Sequence, residues 1–131
     1  MTRLNVVPVS ELTQPEIAGE WKEYPRLFTL VRNRAAKGHT PQTMIKEIPT
    51  SYTLGKGHVK FFYDKIAYAV QRYTDLCNEM LERGYNPNLE MFNDIIDSCE
   101  SSIPSCWWND YTPTPEAIAL NIQRMIDNGT R

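Results

Sequence analysis

A chain of 131 residues suits one domain with one core. No apolar run approaches the roughly 20 residues of a bilayer span, and the first residues lack the basic-then-apolar pattern of a secretion signal, so a cytoplasmic protein off the membrane is expected. A net charge of −2 argues against a uniformly basic nucleic-acid binder, yet residues 1–72 hold eleven Lys/Arg against six Asp/Glu and residues 73–131 three against ten. A basic face on an acidic body can still attract phosphate. Cys77, Cys99 and Cys106 form no CxxC pair and have no His nearby. Neither a disulfide framework nor a metal site is indicated: Cys77 is expected in the core, Cys99 and Cys106 in a loop.

The chain opens Met1-Thr2-Arg3. A small residue behind Met1 is the context in which Met is trimmed, which leaves Thr2 with a free α-amine. Such an amine has a pKa of about 7.7 to 8.0, so part of it is neutral near pH 7, and it is a candidate nucleophile. Residues 4–9, short and interrupted by Pro8, predict an extended arm across the core.

Thr13-Gln14-Pro15-Glu16 is a helix-start signature. From it Ile17, Trp21, Tyr24, Phe28, Val31 and Ala35 form one apolar stripe, and Gly38 ends a helix of about 14–37. At about 100° per residue, Lys22, Arg26, Thr29 and Asn33 fall on the opposite face, a solvent-facing or ligand-facing ridge. Glu16, Glu20 and Glu23 line the boundary. Carboxylates so spaced raise each other's pKa when partly buried, the direction acid-base work needs. Glu23 is the candidate proton-transfer partner of the amine, whereas Glu16 reads as a solvated acidic edge favoured by the helix dipole. Pro25 inside the helix predicts a kink.

Residues 39–57 form a loop in which Gly55 and Gly57 flank Lys56, without the spacing of a phosphate-binding fingerprint. A second helix is expected over about 58–83, with His58 in its first turn, Lys56, Lys60 and Lys65 at its entrance, and Val59, Phe62, Ile66, Ala69, Tyr73, Leu76 and Met80 inward. Phe61-Phe62-Tyr63 offers rings that stack on bases or pack into a core. A short helix near 88–98 and a satellite core around Trp107-Trp108 follow. The last helix, about 114–128, opens on Thr114-Pro115-Glu116 with a stripe of Ile118, Ile122 and Met125. The fold class is therefore all-α: one domain over 1–131, three principal helices, long irregular loops and an N-terminal arm crossing the core.

Several ungapped blocks in order give the sequence a specific resemblance. They are Met1 to Asn5, Val9-Ser10-Glu11-Leu12, Glu20 to Glu23, Pro25-Arg26 and above all Leu54 to Lys65, extended by Arg83-Gly84-Tyr85-Asn86 and Asp110-Tyr111-Thr112-Pro113. In these the chain resembles the endonuclease V type pyrimidine-dimer DNA glycosylases first known from T-even bacteriophages. The resemblance implies a monomeric, cofactor-free repair enzyme of a bacterial cell or phage-infected host. It excises a cyclobutane pyrimidine dimer from double-stranded DNA through an imine on the Thr2 amine, with Glu23 as essential carboxylate, and nicks the strand by β-elimination. It further implies DNA contacts from Arg3, Lys22, Arg26, His58, Lys60 and, on a looser match, Arg124. Here Lys22 stands where the family has Arg, keeping charge but losing the bidentate fork. Pro15 and Glu16 replace polar or cationic residues, and 88–109 is longer and more acidic. Alternatives in keeping with these departures are a glycosylase for another damaged base and a catalytically idle relative that binds DNA or a nucleotide.

Overall fold

In the computed structural model, which describes residues 4–131, four helices surround one core. They are α1 (Gln14–Ala36), α2 (Ile66–Glu82), α3 (Leu89–Ser102) and α4 (Pro115–Asp127), with short 3-10 turns at Val9–Glu11, Lys60–Phe62 and Ser105–Trp107. Among the described residues there is no strand, only an isolated bridge between Lys65 and Trp108.

Helix α1 is the spine. It starts where the Glu16 carboxylate accepts from the Thr13 N–H at 2.8 Å, continues through Pro25, and stops at Gly38, whose φ of 87° suits a residue without Cβ. Ile17, Tyr24, Phe28 and Val31 are buried as the spacing predicts, with Leu27 beside them. Trp21 stacks on Tyr73 of α2 at 4.5 Å and on Phe92 of α3 at 6.0 Å, and Tyr24 and Phe28 also meet Tyr73. Rings so arranged add about 0.5–1.5 kcal/mol per pair beyond their buried area. Arg32 reaches Ser98, a further tie from α1 to α3.

The second helix begins at Ile66, not at 58. Phe61, Phe62 and Tyr63 are all buried, and three consecutive residues cannot share one face of a helix. The chain therefore turns inside the core there, and the rings pack rather than wait for bases. Lys65 closes the turn: its ammonium lies 3.9 Å over the Phe61 ring, bonds the Phe61 carbonyl and pairs with Asp64.

Helix α3 is longer than the expected 88–98 and ranks with the other helices. Asn88 caps it, its side chain accepting from the Met91 N–H. Cys99 is buried on it rather than placed in a loop, and burial pushes its thiol up to about 12. Trp107 is fully buried in the main core, not in a satellite. Helix α4 is capped by the Thr114 side chain accepting from Ala117 N–H. Its most buried row is Ala117, Asn121 and Met125, with Ile118 and Ile122 half-buried alongside.

The arm lies across this core as expected. Leu4, Val6 and Val7 are essentially inaccessible, but no strand pairs with their backbone, so its polar groups must find side chains.

Candidate active site

Side chains from three helices and a loop supply those partners. On α1, the fully buried Glu20 accepts from the Asn5 side chain at 2.9 Å and from Arg72 of α2 at 2.8 and 3.0 Å. Arg72 also bonds the Val7 carbonyl. On α4, the Asn121 carbonyl oxygen accepts from Val6 N–H at 2.7 Å and Val7 N–H at 3.3 Å, while its amide donates to Asn5 at 2.9 Å. From the loop, Tyr52 donates to the Leu4 carbonyl at 3.1 Å and His58 accepts from the Leu4 N–H at 2.8 Å. A buried ion pair of this kind is tolerated when further hydrogen bonds support it, and here the Asn5 amide and the Val7 carbonyl supply them. Glu20 holds the Arg72 guanidinium protonated against the opposing effect of burial.

Beside the pinned arm opens a cleft between the N-terminal half of α1, the loop and α4. Leu4 and Asn5 form its floor, with Glu20, His58 and Arg124 among the polar groups in its walls. Its enclosed part is about 40 Å³, room for roughly two waters and too little for a nucleobase.

The residues singled out from the sequence are spread over several elements. Thr2 and Arg3, with Met1, lie outside the described residues. Glu23 is half-buried on α1, close enough to His58 to oppose the lowering of its pKa. Lys22 and Arg26 are exposed with Thr29 and Asn33, the expected ridge. Arg26 and Arg34 both act on the buried Tyr63, which adds Arg34 to the basic side of α1. Lys60 pairs with Glu47 at 3.4 Å, both partly exposed. Arg124 borders the cleft.

Two expectations are corrected. His58 is neither exposed nor in a helix: it is 5 % accessible, and its Nδ1 lies 2.8 Å from the Thr53 carbonyl. With Nε2 taken by Leu4, it has no nitrogen left for a phosphate. Burial lowers its pKa, and the Arg124 charge adds to this, against the Thr53 carbonyl, Glu20 and Glu23. Glu16 is buried rather than solvated. Burial alone would raise its pKa, but the Thr13 amide, the Thr130 hydroxyl and Arg131 outweigh that and lower it. Glu16 is thus a structural anion that ties the end of the chain to the start of α1.

Sequence reasoning missed Tyr52, Arg72 and Asn121. The one available signal was a polar Asn121 four residues from both Ala117 and Met125, in the middle of a helix face that buries. Among the described residues no group of three or more His, Cys, Asp or Glu gathers as a metal site, and no helix is long and apolar enough to cross a membrane. Residues 1–93 match the family described as pyrimidine dimer DNA glycosylase.

Proposed function

The chain belongs to the pyrimidine dimer DNA glycosylase family, and from that premise we propose that it excises cyclobutane pyrimidine dimers from double-stranded DNA through an imine on the Thr2 amine, then nicks the strand by β-elimination. The observation that carries this reading is the pinned arm. Leu4 is held by both of its peptide groups at the cleft. Thr2 precedes it by two residues, within about 7 Å of chain, and Glu23 follows Glu20 by one turn of α1.

With Met1 removed, the neutral amine attacks the sugar C1′ and the glycosidic bond breaks. The base leaves with the electrons of that bond and takes up a proton; the nitrogen gives up one proton, the ring oxygen O4′ gains one as the C1′–O4′ bond opens, and the imine forms protonated, keeping its second N–H. Removal of a C2′ proton then expels the 3′ phosphate, and water releases the enzyme. Glu23 assists ring opening, stabilises the cationic imine and carries protons. Because C1′ is poorly accessible in a stacked duplex, a nucleotide is flipped out. Arg3, Lys22, Arg26, Lys60 and Arg124 are the phosphate contacts, with Lys22 acting as a point charge. His58 leaves this set because both its ring nitrogens are engaged inside the protein.

The test is borohydride trapping on one duplex with an abasic site and another with a cyclobutane dimer, using protein whose N-terminus has been checked by intact mass. Trapping on both is expected. Trapping on the abasic duplex alone moves the substrate to another lesion. Trapping on neither, with Met1 absent, leaves a DNA-binding relative without the chemistry.

A further inference from the structure

We propose that Tyr52 and His58 are positioning residues for the nucleophilic end of the chain, acting as a clamp on the two peptide groups of Leu4. The proposal rests on the reading of Thr2 as nucleophile. The rest of the arm has other holders: Asn5 by Glu20 and Asn121, Val6 and Val7 by Asn121 and Arg72. Only at Leu4, the described residue nearest Thr2, do both backbone groups depend on the 52–58 turn.

The turn is built for this. Gly57 has φ 90°, and a Cβ there would stand 3.1 Å from the Pro49 ring, so the turn that delivers His58 inward needs glycine. Thr53 offers a carbonyl, which only accepts, so the His58 proton sits on Nδ1 and the Nε2 lone pair faces Leu4. The Tyr52 and His58 rings meet edge to face at 5.5 Å, and each also meets the Phe62 ring. The clamp therefore rests on the core, not on solvent-exposed chain. His58 is nearly buried and both its ring nitrogens are engaged within the protein, so its effect on the reaction is separable from DNA affinity.

A nucleophile two residues from such an anchor gains from restricted motion, and a misplacement of about 1 Å costs on the order of 10²-fold in rate. Three variants test the clamp: Tyr52→Phe removes only the donor to the Leu4 carbonyl, His58→Gln keeps an acceptor, and His58→Ala removes it. The first readout is hydrogen exchange of the Leu4 amide, which needs no activity. Protection in the parent protein and faster exchange in His58→Ala are expected, with His58→Gln between. An unprotected Leu4 amide, or one unchanged in His58→Ala, overturns the clamp.

The second readout is borohydride trapping on the abasic duplex, with the dissociation constant for uncleaved DNA and its salt dependence measured in parallel. Trapping is expected to slow about 10-fold in Tyr52→Phe and about 10²-fold in His58→Ala, with part of the rate recovered in His58→Gln and DNA affinity unchanged. Weakened, less salt-dependent DNA binding in the His58 variants assigns His58 to phosphate and overturns the proposal. Should His58→Ala fail to fold by thermal unfolding, Tyr52→Phe decides: unaltered trapping in that folded variant overturns the clamp. If the parent protein traps no imine while Leu4 exchange responds as expected, it is the Thr2 reading that fails.

Discussion

The inward face of α1 changes character halfway along. Its N-terminal half presents Glu16 and Glu20, both buried, Glu16 held by Thr13 beside it and by Thr130 and Arg131 far away in sequence, Glu20 by Asn5 and Arg72. Its C-terminal half presents Tyr24, Phe28 and Val31, packed on the rings and aliphatic groups of the core. The aromatic half is held mainly by apolar burial, which is nearly non-directional, with ring pairing adding a weaker preference for orientation. The polar half fixes atoms to within a hydrogen bond, which is what an extended arm carrying a reactive end requires. One helix therefore holds the fold with one half and aims the arm with the other.

Breaking the two halves should give different phenotypes. The largest effect is expected at Glu23, at the edge of the polar half: Glu23→Gln should lower single-turnover cleavage of a dimer duplex by about 10²–10⁴-fold while thermal unfolding and DNA affinity stay near those of the parent. Lost folding or binding would instead make Glu23 structural. Next, Phe28→Ala should lower unfolding free energy by about 3–5 kcal/mol, with trapping per folded molecule preserved in the cold.

Arg72→Ala should destabilise by a similar 3–5 kcal/mol because it strands the buried Glu20. The paired change Glu20→Leu with Arg72→Met should recover part of that stability and none of the trapping rate, since no apolar pair can hold Asn5 or the Val7 carbonyl. Equal recovery of both would remove the distinction between the halves.

A smaller effect is pH dependence. His58 is held below its ordinary value, facing Arg124 of α4 and Glu20 and Glu23 of α1. A group depressed in the fold takes up its proton first in the unfolded chain, so its contribution to stability is intact above about pH 6.5 and is lost as pH falls below that, until His58 protonates in the fold. Urea unfolding at stepped pH should show this slope in the parent protein and lack it in His58→Gln. The smallest effect belongs to the exposed ridge: Lys22→Ala should leave stability within about 0.5 kcal/mol and reduce the salt dependence of DNA binding by about one phosphate contact.

How far each half was legible before the structure follows from the same physics. The apolar stripe from Ile17 to Ala35, the capped start at Thr13 and the stop at Gly38 are local patterns, and α1 forms where they place it. The charged ridge of Lys22 and Arg26 follows from the same 100° rotation and is exposed as expected. The start of α2 was misread because the helical spacing runs back from Ile66 through Phe62 to Val59, while the backbone there folds into the core and the helix waits until Ile66.

The polar half was the least legible. Glu16 and Glu20 have the spacing of a solvated edge, and only distant partners, Arg131 and Arg72, make them internal anions. His58 likewise reads as a first-turn residue until Leu4, 54 positions away, is laid against its ring. Helical class, caps, the arm and the family resemblance are legible from the chain because they depend on near neighbours or on blocks of sequence in order. Which carboxylates are buried, which nitrogen of His58 carries its proton, and what holds the arm were decided by tertiary structure alone. Those contacts join residues far apart in the chain, where, the polar Asn121 on a buried helix face apart, neither periodicity nor composition carries a signal.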